Sequence, residues 1–227
     1  MIENLRNNDE RIILIKHKQN KGTLRSRNDG VLKSNGKYIC FVDPDDLLSF
    51  YILILCYNIA EKYNYDIIRF NMYEGNNKIN LNYIVNKIIN KIVFQPRLSL
   101  YLFYGLGKLE ELDYYITNKL IRKELFIKSI NLIDKYYLNN NMIDCEDGLI
   151  NFILYRLANS YYFMQNIGYL YVINEESITM ENKWNFKKRL KSNFLYFKFI
   201  FQNTKNIKSL INTIFILIKI SIKIKYI

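Results

Sequence analysis

Histidine and cysteine are scarce in this 227-residue chain, and their scarcity closes several routes to function. The single histidine, His17, rules out metal centres built on histidine clusters and leaves carboxylates as the groups for acid–base work. Cys40, Cys56 and Cys145 are odd in number and far apart, so they fit neither a disulfide framework nor a zinc site. Cys40 lies in an apolar run and reads as a small core residue. Asparagine is abundant, yet no Asn-x-Ser/Thr sequon occurs, which leans toward a cytoplasmic location. No secretory leader is legible after Met1, because Glu3, Arg6, Asp9 and Glu10 interrupt any apolar core. Toward the C-terminus the longest apolar run is Ile214–Ile218, far short of the roughly 20 residues that cross a bilayer. No internal repeat is evident.

Acidic residues are the minority: 21 against 33 basic ones, a formal charge of +12. Such a charge raises nucleic acid or an anionic membrane surface as a partner. Lys, Asn, Ile and Tyr dominate, however, and A- and T-only codons encode all four, so base composition alone inflates lysine. The lysines are scattered, with Lys187-Lys188-Arg189 the only dense cluster, and nucleic acid is not the expected partner. Half the residues are hydrophobic, enough for one domain with a sizeable core, with or without an appendage.

Short apolar runs alternate with helix-length segments. Arg11–Ile15, Lys37–Val42 and Asp66–Asn71 read as strands, Thr23–Ser34 as a helix that Thr23 can cap, and Leu47–Tyr63 as a second helix. This alternation predicts an α/β fold with a mostly parallel sheet flanked by helices. Glu74–Ile92 is a loop or an irregular pair of strands, and Leu98–Leu112 is mixed. Glu124–Ile133 reads as a helix, a further helix opens at Asp144-Cys145-Glu146-Asp147, and Tyr161–Phe163 and Tyr169–Ile173 read as strands. Beyond about residue 180 the texture becomes basic and aromatic, so residues 1–180 form the expected domain and 181–227 a helical C-terminal extension. Its Lys/Ile tail, Ile207–Ile227, is either a packed helix or an amphipathic segment touching a membrane peripherally.

The acidic turn Asp43-Pro44-Asp45-Asp46, directly after the apolar run Tyr38–Val42, is the most informative local feature. Pro44 stiffens the turn, and closely spaced carboxylates at a sheet edge suit Mg²⁺ or Mn²⁺ better than zinc. A plain solvated turn is the competing reading. Upstream stand Asn20-Lys21-Gly22, Arg27-Asn28-Asp29-Gly30 and Asn35-Gly36-Lys37-Tyr38-Ile39. From Asn20 to Leu48 this order resembles the nucleotide-binding half of family 2 glycosyltransferases of the GT-A type, in residue type and in spacing. Ser26 stands where that pattern has alanine, and the resemblance continues more weakly to about Thr179. It implies a GT-A-like (Rossmann-like) domain. It also implies a strand and a Val-Asp-Asp-Gly-Ser segment before the point where this chain starts. The expectation is therefore a truncated domain lacking its first strands.

The resemblance carries roles onto particular residues. Asp45 becomes a metal ligand, Asp43 a second ligand or a ribose contact, and Arg27 a nucleotide contact. Glu146-Asp147 is similar to the family's Glu-Asp pair, which makes Asp147 the general base of an inverting transfer. Asp113–Arg122 resembles a segment in which Asn-Lys-Leu precedes a helix, so Lys119 and Arg122 face the acceptor or diphosphate unless they are ordinary exposed bases. Asp46 is expected to cap the next helix, Asn28 and Gly30 to shape packing, and Tyr114, Tyr115 and Trp184 to stack on sugars or sit in the core. The donor would be a nucleoside diphosphate sugar, the acceptor a glycan or lipid-linked. The alternatives are a surface role for Arg27 and a helix-dipole role for Asp147. At the level of the whole chain, the rivals are a non-catalytic binding or regulatory remnant and a basic surface-binding protein.

Overall fold

A computed structural model describes residues 2–75, 92–94, 115–140 and 146–173, together with 191, 194–196, 198–200 and 202. Five helices are described: α1 (Ile2–Asn8), α2 (Thr23–Lys33), α3 (Ile52–Tyr63), α4 (Lys123–Asn140) and α5 (Glu146–Leu157). Six strands form one sheet: β1 (Tyr38–Ile39), β2 (Leu47–Leu48), β3 (Ile67–Gly75), β4 (Ile92–Phe94), β5 (Lys119–Arg122) and β6 (Tyr161–Val172). Their order is β1-β5-β3-β6-β2, with β4 also on β6. The layered α/β architecture is as expected, but the sheet is mixed rather than mostly parallel. Among the described strands only β3 and β6 run parallel, and the other four pairings are antiparallel.

Period-two alternation sorts the strand residues between two cores. Ile67, Ile121 and Tyr161 face a cluster completed by α2, α4 and α5, through Leu24, Val31, Phe126, Ile130, Leu149 and Ile153. Ile68, Phe70, Leu120 and Tyr162 face the opposite side, where α3 lays down Ile52, Cys56 and Ala60. Cys40 packs against this second cluster, and burial pushes its thiol up to about 12, in keeping with a structural residue. Leu195, Tyr196, Phe199 and Ile200, from the region beyond residue 180, are buried in the first cluster, with Phe199 edge-on to Phe152 at 6.3 Å. Trp184 and Ile207–Ile227 lie outside the described residues, as do Tyr114 and Cys145.

Several local expectations change. Arg11–Ile15 forms no strand: Ile13, Leu14 and Ile15 make no backbone hydrogen bond to another described residue, and an apolar run becomes a strand only by pairing. Thr23 does not cap α2. Gly22 takes that place with φ +81°, its N–H donating to Asn20 Oδ1 at 2.8 Å. The Asn-x-Gly sequence is thus a side-chain-closed turn feeding a helix. Leu47 and Leu48 leave the expected helix to pair with Leu170 and Tyr169, so α3 begins only at Ile52. It ends at Asn64, whose left-handed φ of 57° is tolerated by asparagine. Tyr161 and Tyr169 belong to one long strand, because β6 is bulged rather than broken.

Those bulges have a geometric consequence. Opposite Phe70, Asn71 and Met72 of β3 lie Met164, Ile167 and Tyr169 of β6, with register shifts at both steps. Asn71 Nδ2 donates to the Gln165 carbonyl at 2.9 Å and stitches the bulge. Met164 and Tyr169 are an odd number of residues apart and would face opposite sides of a regular strand, yet both sit in the α3-side core. Gly168 permits this. A Cβ there would lie 2.3 Å from Ile52 Cγ1 and 2.7 Å from Phe70 Cδ2.

Candidate active site

The acidic turn is a β-turn closed by the Asp46 N–H donating to the Asp43 carbonyl at 3.1 Å, with Pro44 at the position where its fixed φ helps most. Its three carboxylates have different surroundings. Asp43 is half-buried, Asp45 is exposed, and Asp46 is buried. Asp46 caps no helix, contrary to expectation. Its Oδ2 accepts from the Tyr169 hydroxyl at 2.6 Å and its Oδ1 from the Val172 N–H at 2.9 Å. The Tyr169 hydroxyl also accepts from the Asp43 N–H at 3.1 Å.

Arg27, in the second turn of α2, points into the same region. Its guanidinium pairs with Asp147 through Nη1 and lies 3.6 Å from Asp43 Oδ1 through Nη2. Only 12% of this side chain is exposed, and Cζ sits 5.8 Å from the centre of the Phe41 ring. Asp147, in the first turn of α5, also receives the Ile116 N–H at 3.4 Å. Arg27, Asp43 and Asp147 therefore converge, although Arg27 and Asp147 are 120 residues apart in sequence. Burial raises the Asp43 pKa above the ordinary carboxylate value, and Arg27 opposes that shift.

Asp45 joins this group only through the turn, and makes no hydrogen bond or ion pair with a described residue. Among the described residues no set of three or more His, Cys, Asp or Glu side chains is arranged to hold a metal. Two hard carboxylates remain, one half-buried and one open to solvent. They suit a cation that keeps waters and takes its other ligands from a substrate's phosphates, as Mg²⁺ commonly does. A cavity of about 470 Å³ elsewhere is lined by Ile13, Ile15, Gly30 and Lys33, and by none of Arg27, Asp43, Asp45 or Asp147.

Neither Lys119 nor Arg122 is an exposed base. Lys119 is fully buried, its Nζ donating to the Tyr115 carbonyl and, at 3.1 Å, to Asn118 Oδ1. Asn151 Nδ2 reaches the same Tyr115 carbonyl at 3.2 Å, so the segment that donates to Asp147 is fixed from two sides. Arg122 is bound to Asp66 at 2.8 Å and Asn64 at 2.9 Å. Gly30 has no packing partner that demands glycine, since a Cβ there would meet nothing within 4 Å.

A profile described as glycosyl transferase family 2 matches residues 1–129, more than half of the chain. The chain belongs to glycosyl transferase family 2. Among curated relatives of this family 2 chain is "Uncharacterized glycosyltransferase EpsJ" of Bacillus subtilis (strain 168), 27% identical over 172 residues that make up 75% of this chain and 47% of that protein. An uncharacterised protein of Plasmodium falciparum (isolate 3D7) is also 27% identical, over 58% of this chain and 7% of its own length. The fold is that of S. aureus TarS: residues 1–349 of that protein, solved with UDP-GlcNAc, superpose with a TM-score of 0.56 at 16% identity, covering 86% of this chain and 51% of that one. The same TarS region without ligand gives 0.51 at 18% identity, over 75% and 46%. The family 2 chain thus spans about half the length of EpsJ and of the TarS 1–349 region, and far less of the Plasmodium protein.

Tyr169, Phe41 and Ile116 contribute to the site without having been singled out as site residues in the sequence. Gly168 was the one available signal, because an isolated glycine inside a strand pattern marks a bulge.

Proposed function

We propose that this family 2 domain transfers a sugar from a nucleoside diphosphate donor to a hydroxyl of a glycan or lipid-linked acceptor, with inversion at the anomeric carbon. The observation that carries the reading is the convergence of Asp43 and Asp147 on the single guanidinium of Arg27. A donor-side carboxylate and a base-side carboxylate from opposite ends of the domain meet at one cation. TarS, which has this fold, was solved with UDP-GlcNAc, so that compound is the first donor to test.

In this reading the acceptor hydroxyl gives its proton to an Asp147 carboxylate oxygen as its own oxygen attacks the anomeric carbon. The bond from that carbon to the donor phosphate breaks, and the diphosphate leaves with the electron pair. Arg27, beside Asp43, supplies positive charge that a phosphate can share in a forked contact. Mg²⁺ or Mn²⁺, held by Asp43 and Asp45, would add charge stabilisation at the diphosphate. Ile116 N–H and Arg27 hold the Asp147 carboxylate in one orientation, which shortens the search for a productive geometry.

The decisive experiment is Asp147→Asn, assayed for Mn²⁺-dependent binding of UDP by calorimetry and for transfer from UDP-GlcNAc. Transfer should fall by at least about 100-fold, the usual contribution of a general base, while UDP binding stays within a few-fold of the parent. Unchanged transfer would show that another group is the base. No UDP binding by the parent chain at millimolar ligand would favour the non-catalytic binding role.

A further inference from the structure

Among the described residues, the Tyr169 hydroxyl is the one side-chain group that touches both ends of the acidic turn. It is fully buried, donates to Asp46 Oδ2 at 2.6 Å and accepts from the Asp43 N–H at 3.1 Å. The turn is held to β6 at further points: Ser49 N–H to the Gly168 carbonyl at 2.8 Å, Leu47 and Leu48 opposite Leu170 and Tyr169, and Val172 N–H to Asp46 Oδ1 at 2.9 Å. Most of these contacts would tie any loop to a sheet. The Tyr169 hydroxyl differs because it fixes the backbone at Asp43 itself and at the same time occupies Asp46, which leaves Asp43 and Asp45 as the turn's outward carboxylates. The phenol reaches this position only because the β6 bulge reverses the facing of the strand after Met164, and the bulge closes only because residue 168 has no side chain.

We propose that Tyr169 is a positioning residue for the donor site: its hydroxyl, delivered by the Gly168 bulge, sets the backbone of Asp43 and removes Asp46 from the set of available ligands, so that a divalent cation and a nucleoside diphosphate meet Asp43 and Asp45 alone. This rests on the proposed donor reading for its ligand, but not for its geometry. The strut exists in the chain whether or not a donor binds.

Two measurements on the full chain separate these. The first uses Tyr169→Phe, which keeps the ring, with amide hydrogen exchange at Asp43 read residue by residue and a denaturant midpoint as the measure of global stability. The Asp43 amide should exchange at least about tenfold faster, beyond any change seen at β3 and β6 amides, because a buried donor has lost its acceptor. Exchange at Asp43 that follows the global change alone overturns the proposal, whatever the protein binds. The second is UDP affinity with and without Mn²⁺ for the parent, Tyr169→Phe, Asp46→Asn and the double variant. The expected result is that the Mn²⁺-dependent gain in affinity shrinks about tenfold in each single variant, with the metal-free affinity unmoved, and no further in the double variant than in Tyr169→Phe, since that change already removes the Tyr169–Asp46 hydrogen bond. Additive losses, or equal losses with and without Mn²⁺, reduce Tyr169 to a packing residue. If the parent shows no UDP binding, the donor reading fails, and the Asp43 exchange result still decides the strut.

Discussion

At Asp43, burial and charge work against each other. Desolvation is the largest influence and raises the pKa, Arg27 pulls it down, and Asp147 and Asp45 raise it again. A carboxyl with a raised folded-state pKa contributes stability that is fully present below its unfolded pKa and is lost as pH rises through the folded value. Asp46 is shifted in the same direction, again first by burial. Apparent melting temperature should therefore decline as pH climbs from the unfolded carboxylate range, near 4, through these raised values. Mn²⁺ bound at Asp43 would offset that decline, so the Mn²⁺-induced stabilisation should grow across the same window. Thermal shift measured from pH 4 to 8, with and without Mn²⁺, checks this, and a Mn²⁺ effect independent of pH would place the cation elsewhere. Arg27, Asp43 and Asp147 were legible in the sequence because their types and spacing carry a family pattern. The division of labour within the acidic turn was not, because whether a carboxylate is exposed or engaged depends on a phenol from another strand, 123 residues away.

Two glycines give opposite expectations at the level of single elements. In β6, Gly168→Ala would set a methyl 2.3 Å from Ile52 and 2.7 Å from Phe70, so α3 or the bulge must shift, at a cost of about 1–3 kcal/mol. In α2, Gly30→Ala meets nothing within 4 Å and replaces the poorest ordinary helix former with the best, a gain of about 0.5–1 kcal/mol. Urea midpoints of the two variants should move to opposite sides of the parent. The helices α2 and α4 were readable from their spacing, since each buries a stripe against its neighbours, whereas α5 is buried on all sides from Gly148 to Tyr155. Strand readings succeeded where both faces of the strand are covered, as in β3, and failed at Arg11–Ile15. The failure has a simple cause: apolar character records what a strand would bury, and only a neighbour can supply its hydrogen bonds.

On the scale of the molecule, β1 is the terminal strand of the sheet path, and the Ile13–Ile15 segment pairs with no described strand. Ile13 is 54% exposed and Val42 46%, so apolar side chains accompany backbone groups that have no partner among the described residues. An edge of this kind is a template for pairing between copies. Sedimentation velocity should show association that increases with protein concentration, and Ile13→Lys should reduce it without lowering the urea midpoint by more than about 0.5 kcal/mol equivalent. A parent that stays monomeric across that range would show the edge to be covered. No helix among the described residues is long and apolar enough to cross a membrane. The mixed direction of the sheet was the least legible global property, because strand order and polarity depend on connections that no local pattern encodes.

Anchoring Asp43 and Asp46 to a strand that ends at Val172 also sets a timetable for synthesis. A nascent chain that has cleared the ribosome only as far as α5 already carries Arg27, the aspartates and Asp147, yet it lacks the phenol and strand that give the acidic turn its shape. The acidic turn therefore takes its final shape only when β6 inserts beside β3.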